Sequence, residues 1–243
     1  MKLIDYHVHM GKSSKGDNYT LEDLIASMDK FNIEKSGLSI LNGVNVGPLN
    51  DLTMEAVKKY PDRIVGYAYI NPREENAIEE VHRCLSVEGM RGVKFHSWKH
   101  GYFPSNNRAL DGIIDAIAEY DVPILTHTGT PPLSLPQQWI EVAKRHPNVK
   151  FVLAHIGYLD YGYDCIEGAK NYPNIYVDTS GQVEIPVIAK ALEDLGPDRI
   201  IWSTDWPYKY PGSELVKFEP YNLSEEDKKK IFYENAMKLW KLI

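Results

Sequence analysis

The chain has 243 residues, 43% of them hydrophobic and 25% charged, an ordinary globular composition that excludes a disordered or fibrous chain. The net charge of −7, with no long basic run, argues against nucleic acid or an anionic membrane as a partner. No segment approaches the roughly 18 apolar residues of a membrane span, and the opening MKLIDYHVHM lacks the apolar stretch of a signal peptide, so the expectation is a cytoplasmic protein.

Along the chain, short apolar segments rich in β-formers alternate with longer amphipathic ones. The first strand is expected at Leu3–His7, and a helix follows near Leu21–Phe31, with Thr20 as its N-cap and Asp23 in its acidic first turn. Strand Gly37–Leu41 precedes a helix near Asp51–Lys59, Ile64–Ile70 precedes Glu74–Leu85, and Gly92–His96 precedes Arg108–Tyr120. In the second half, Pro123–His127 is paired with Leu135–His146, Phe151–His155 with Gly162–Asn171, and Ile175–Asp178 with Pro186–Leu195. The last strand, Ile200–Ser203, leads to a helix near Glu225–Leu239 that Ser224 and Asp227 start as Thr20 and Asp23 start the first. Pro61, Pro147, Pro173 and Pro197 each fall after a helical stretch and before a strand, where a helix must stop. Eight such units, at about 30 residues each, make residues 1–243 one α/β domain, a single (β/α)8 TIM barrel. The two cysteines, Cys84 and Cys165, lack metal-type spacing and read as reduced thiols.

The unusual residues cluster by position in this pattern. Of the eight histidines, His7, His9, His96, His127 and His155 fall at the C-terminal ends of predicted strands, and Asp205 follows the last one. In a closed α/β barrel those ends form one rim, where active sites are built. His82, His100 and His146 fall in helices or a loop and read as surface residues. His7 and His9 face the same way on a strand, an arrangement that suits a divalent metal with open coordination positions. The bland alternative is buried imidazoles bonding one another, and each further polar group on the rim makes that costlier. Asp205 can bind the cation and take a proton from activated water, or it can be a turn residue of Ser-Thr-Asp-Trp-Pro. Asp5, at the parity of the two histidines, reads as an outer partner that orients a ligand imidazole.

Lys94 and His96 share one face of the fourth predicted strand, and an ammonium is seldom buried unpaired. Three readings of Lys94 stay open: a carbamylated bridge between two metals, a cation for a substrate carboxylate, or an ion pair with Asp205 or another acid. His155 is either a ligand to a second metal or the acid/base group; the second role, with a single ion, suits a side chain that titrates near neutrality. Trp98, Tyr102, Phe103, Tyr158 and Trp206 lie in rim loops where they can wall a pocket.

Five segments carry a family resemblance: Ile-Asp-Tyr-His-Val-His at 4–9, Gly-Val-Lys-Phe-His at 92–96, Thr-His-Thr-Gly at 126–129, Leu-Ala-His-Ile-Gly at 153–157 and Ser-Thr-Asp-Trp-Pro at 203–207. Together they resemble the amidohydrolase superfamily, and within it the amidohydrolase-related branch that includes aminocarboxymuconate-semialdehyde decarboxylase, resorcylate-type decarboxylases and pyrone-dicarboxylate lactonase. Glu-Asn-Ala-Met-Lys-Leu-Trp at 234–240 looks like that branch's closing helix. The resemblance implies a barrel with one or two divalent ions, most often zinc. By motif it implies His7, His9, His127 and Asp205 as metal ligands, and His155, Asp205, Lys94 and His96 as the groups that do the chemistry. TatD-like nucleases carry a glutamate where this chain has Lys94 and His96, and phosphatase-like relatives end in Asp-x-His where Asp205 is followed by Trp206 and Pro207.

The resulting expectation is a metal-dependent hydrolase of a small amide, lactone or cyclic acid. Its rival is a non-oxidative decarboxylase of an unsaturated or aromatic acid on the same metal; the third reading is a barrel that keeps metal for stability alone. No arginine here is matched to the one that anchors the carboxylate in the decarboxylases, so Lys12, Lys99 or Arg108 would have to hold it. The partner is expected to be a small anionic molecule, not nucleic acid or membrane, and the chain is compatible with a homo-oligomer.

Overall fold

The computed structural model describes residues 2–13, 16–40 and 42–243. Nine strands form one sheet in the order β2-β1-β3-β4-β5-β6-β7-β8-β9. They are β1 (Leu3–Lys12), β2 (Asn18–Tyr19), β3 (Ile33–Ile40), β4 (Ile64–Tyr69), β5 (Met90–Phe95), β6 (Ile124–Thr126), β7 (Phe151–Leu153), β8 (Ile175–Asp178) and β9 (Ile200–Ile201). Every neighbouring pair is parallel except the two-residue β2, which turns back antiparallel on the end of β1. The sheet curls until its ends meet. His9 N donates to Trp206 O at 2.7 Å, Asp205 N to His7 O at 2.8 Å, and Tyr6 N to Trp202 O at 3.5 Å.

The expected strands all appear, with shifted ends. β1 continues five residues past His7, whereas the last strand stops at Ile201 and leaves Trp202 and Ser203 outside it. The second predicted strand starts earlier, at Ile33, and its expected last residue, Leu41, lies outside the described residues. Helix α1 (Leu21–Phe31) begins at the Thr20–Asp23 capping box and stops at Asn32, which is left-handed at φ 55°. Ser224 likewise caps the C-terminal helical stretch, whose two α-helical ends, Glu225–Lys229 and Asn235–Leu239, flank a π-helical turn at Lys230–Glu234. Two short helices that the sequence pattern did not show, Ser97–His100 and Pro211–Val216, follow β5 and β9.

Alternate residues along the strands divide between two cores. Ile64, Ala68 and Ile70 join the larger cluster with the helices, while Val65 and Tyr67 join Ile4, Tyr6, Leu125, Val152 and Ile201 in a smaller one. Trp240, at the C-terminal cap of the last helix, closes that inner cluster. Its ring stacks on Tyr6 with centroids 5.1 Å apart, and its Nε1 donates to Tyr67 Oη at 2.9 Å.

One irregularity decides the site. Between Asp5 and Val8, β1 carries one residue more than the matching stretch of β3, Ser36 to Leu38, so the pairing register shifts there. Such a bulge reverses the facing of every later side chain. Gly37 of β3 faces it, and a Cβ there would stand 2.4 Å from Tyr6 O and 2.5 Å from Tyr67 Oη. The bulge puts Ile4 and Tyr6 with His7 and His9 on the inner face and sends Asp5 to the other. The expectation that Asp5 orients a ligand histidine is therefore corrected: its buried carboxylate accepts from Thr204 N at 2.9 Å and Thr204 Oγ1 at 2.6 Å. Burial pushes the Asp5 carboxyl up to about 8 against those two bonds.

Candidate active site

β1 delivers His7 and His9, and an acceptor at each Nδ1, a carboxylate for His7 and a backbone carbonyl for His9, fixes how the ring is protonated. His9 Nδ1 lies 3.2 Å from Ser39 O, a carbonyl that can only accept, so the proton sits on Nδ1 and Nε2 is left bare. His7 Nδ1 lies 2.8 Å from Asp178 Oδ2, which leaves its Nε2 bare as well. The two bare nitrogens face each other at 3.0 Å. Asp205 Oδ1 stands 3.2 Å from His9 Nε2 and 3.6 Å from His7 Nε2. Lone pairs turned on one another in this way repel unless something positive lies between them. Ligand atoms about 2.0–2.1 Å from a tetrahedral zinc would be separated by about 3.3 Å, so the three atoms fit a divalent ion.

Burial pushes His7 down to about 4 and His9 and His127 well below the usual imidazole range, aided at His7 and His9 by Lys94 and at His127 by His155. Neutral imidazoles are the form that binds metal. Lys94 is itself buried, its Nζ 2.8 Å from His7 Nε2, and desolvation pushes it down to about 7 against the pull of Asp205 and Asp178. An ammonium and a metal ion therefore compete for one lone pair.

Asp178, at the end of β8, is the residue that the sequence reading missed. It is fully buried and accepts from His7 Nδ1 at 2.8 Å, Ser180 N at 2.7 Å and Ser180 Oγ at 2.6 Å. Burial alone would raise its carboxyl; His7, His155 and Ser180 more than offset that and hold it well below the usual carboxylate range. His7, His155 and Asp178 form a second group with metal-ligand spacing beside that of His7, His9 and Asp205.

The turn after β7 aims His155. Its backbone is left-handed at His155 (φ 66°), Ile156 (φ 45°) and Tyr158 (φ 57°), and Asp205 is left-handed too at φ 59°. Such conformations cost roughly 1–3 kcal/mol each for non-glycine residues and persist only where surrounding contacts enforce them. His155 Nδ1 lies 2.9 Å from Ser180 O, so it carries the proton, and the bare Nε2 accepts from His127 Nδ1 at 3.2 Å. Burial pushes His155 down to about 4. His127 spends its Nε2 on Thr130 Oγ1 at 2.8 Å and stacks on His96 with centroids 4.0 Å apart. It thus stands beside His155, outside both groups of metal-ligand spacing. His96 accepts at Nδ1 from Lys99 N at 3.4 Å.

Above these residues opens a cavity of about 320 Å³, lined by His9, Lys94, His96, His127 and Asp205 and walled by Trp98, Tyr158 and Tyr208. Of the three cations expected to hold a carboxylate, Lys99 lines it, and so does Lys209, which the sequence reading did not name. Lys12 and Arg108 do not; Arg108 pairs with Asp111 at 3.4 Å on the outer surface. Tyr102 is buried in the core and Trp206 packs on Tyr19, so the expected aromatic wall reduces to Trp98 and Tyr158, with Tyr208 added. His100 is corrected from surface to buried, its Nε2 on Gly43 O at 3.2 Å.

A family model for amidohydrolases matches residues 4–242. The chain belongs to the amidohydrolase family. A gamma-resorcylate decarboxylase of Polaromonas sp. is 26% identical over 93% of this chain and 85% of its own length. A 4-sulfomuconolactone hydrolase of Rhizobium radiobacter is 27% identical over 77% of this chain and 66% of its own. Among solved structures, the 5-carboxyvanillate decarboxylase of Novosphingobium aromaticivorans, complexed with manganese and 4-hydroxy-3-methoxy-5-nitrobenzoic acid, superposes with a TM-score of 0.80 at 20% identity. That match covers 98% of this chain and 96% of the other, and it shows the shared fold. Among the described residues, no helix is long and apolar enough to cross a membrane.

Proposed function

We propose that this amidohydrolase removes carbon dioxide from a small aromatic or unsaturated acid, using a divalent metal held on the rim of a closed (β/α)8 barrel that takes up the whole chain. The hydrolase reading that the sequence put first gives way to its rival because the relatives are mainly decarboxylases, of gamma-resorcylate and of 5-carboxyvanillate, with lactone hydrolases the smaller group. The observation that carries the proposal is the cavity: Lys94, Lys99 and Lys209 line, together with His9 and Asp205, a space of about 320 Å³. Cations around a small aromatic-walled pocket suit an organic acid.

His7, His9 and Asp205 would hold the ion, with His127 as the fourth ligand by family pattern. A donor set of imidazole and carboxylate suits zinc, the sequence expectation, and also manganese, which the 5-carboxyvanillate decarboxylase contains. A bound ion supplies a Lewis acid for a substrate oxygen. Lys99 and Lys209 hold the carboxylate, and the rings of Trp98, Tyr158 and Tyr208 exclude water around the substrate's face. In the reaction the carbon–carbon bond breaks, carbon dioxide leaves, and the carbon left behind takes one proton. Asp205, which lines the cavity, passes that proton; Lys94 and His96 orient the acid, and neutral His155 holds the His127 ring through its Nε2.

The second reading, hydrolysis of a lactone, rests on the 4-sulfomuconolactone hydrolase relative. Incubation of the metal-loaded protein with hydroxybenzoates and with muconolactones in ¹⁸O-water separates the two. Release of carbon dioxide with no ¹⁸O in the organic product supports the decarboxylase, and ring opening with ¹⁸O uptake replaces it. Asp205→Ala should abolish either turnover with the fold intact; an active variant rejects the site.

A further inference from the structure

A buried ion pair lies behind the turn that joins β8 to the next helix. Glu214, in the short helix Pro211–Val216, and Lys217, just past its end, are both almost wholly buried, with Oε2 and Nζ 2.5 Å apart. Neither reaches the cavity. Both are used on the backbone of residues 179–182. Lys217 Nζ donates to Thr179 O and, at 3.2 Å, to Gln182 O, while Glu214 Oε2 accepts from Gly181 N at 3.1 Å. The residue enclosed by these three anchors is Ser180. Its carbonyl takes the His155 Nδ1 proton and its hydroxyl donates to Asp178, the partner of His7.

We propose that Glu214 and Lys217 are positioning residues of the active site: by clamping the 179–182 backbone they fix Ser180, and through it the tautomer of His155 and the orientation of Asp178. The inference rests on the functional reading above for its importance, though not for its geometry. A buried pair contributes little net stability, because desolvating two charges offsets their attraction, and apolar residues of similar size usually serve a core as well. What apolar residues cannot supply is two donor hydrogens to two carbonyls and an acceptor to one amide, at fixed directions. The i,i+3 spacing, from the last turn of the helix to the residue that ends it, presents the carboxylate and the ammonium to the same turn.

The test uses the full-length protein with ¹⁵N-labelled histidine, in Lys217→Met, Glu214→Gln and the double variant Glu214→Leu/Lys217→Met. Long-range ¹H–¹⁵N spectra of the metal-free protein report the His155 tautomer, chelator competition reports Mn²⁺ affinity, and thermal melts report folding. Wild type should show a single Nδ1–H form of His155. The double variant, which leaves no buried charge unpaired, should fold cooperatively at a lowered melting temperature yet show both tautomers and bind Mn²⁺ about 10-fold more weakly. A single Nδ1–H form with wild-type affinity in the folded double variant overturns the proposal, and so does the same result in Glu214→Gln should the double variant fail to fold. If wild type itself binds no Mn²⁺, the metal reading fails, and the tautomer spectra still decide the clamp.

Discussion

Asp178→Asn isolates the group that orients His7. The substitution keeps the volume but turns an acceptor-only carboxylate into an amide with two N–H donors. In the wild type, one oxygen accepts from His7 Nδ1 and the other from Ser180 N and Oγ, all between 2.6 and 2.8 Å. If the amide NH2 faces His7, the imidazole must take its proton on Nε2, the atom that stands 3.0 Å from His9 Nε2 and 3.6 Å from Asp205 Oδ1. That proton fills the lone pair a metal needs. If the NH2 faces Ser180 instead, it meets a backbone N–H, and a buried donor left without an acceptor costs about 1–3 kcal/mol. That penalty favours the first arrangement, which should weaken metal binding by about 10–100-fold, the usual cost of losing an outer partner of a ligand histidine, or about 1.4–2.8 kcal/mol. Competition against a fluorescent chelator measures it with Zn²⁺ or Mn²⁺, and far-UV circular dichroism checks the fold. Affinity within twofold of wild type would refute the claim that Asp178 sets the His7 tautomer.

The other predictions touch separate parts of the molecule. Burial pushes Lys99 down to about 8, against the pull of Asp205, so it is cationic below that pH and neutral above it. Binding of an aromatic acid should therefore weaken as pH rises through about 8, by up to tenfold per unit. Lys99→Arg should remove the dependence because a guanidinium stays charged; titration calorimetry from pH 7 to 9.5 that shows no slope in wild type rejects Lys99 as the carboxylate's holder. Gly129, at φ +93°, would place a Cβ 2.4 Å from Gly157 O and 2.3 Å from Tyr158 Cβ. Gly129→Ala should cost about 2–4 kcal/mol in urea unfolding and loosen the turn that aims His155; an unchanged midpoint contradicts this. Removing metal should lower the melting temperature: at an ion concentration 1,000 times Kd the lost stabilisation is about 4 kcal/mol, or about 8–16 °C for a domain of this size. Equal melts with and without chelator would show that no ion is bound.

What could be read from the sequence and what could not divides along a physical line. Polar residues at the C-terminal ends of strands announced the rim, because a parallel sheet covered by helices leaves no other reason for His96, His127 and His155 to end apolar runs. The same rule applied to Ile175–Asp178 names Asp178, whose carboxylate ends an apolar run as the histidines do. Asp5 was misplaced because period-2 facing assumes an unbroken ladder, and the extra residue between Asp5 and Val8 depends on Gly37 of β3, more than 25 positions away, which the local pattern of β1 does not contain. Glu214 and Lys217 were invisible for a different reason. An i,i+3 acid–base pair reads as a solvated helix face, and only the fold shows that this face turns inward onto the 179–182 backbone. Ligand atoms are therefore legible where they break a hydrophobic pattern, whereas the groups that aim them stay hidden, because they act through backbone atoms that every residue shares. Design of a variant site on this barrel must start from that second group: moving His7 or His155 without Asp178 and Ser180 would keep the ligands and lose their directions.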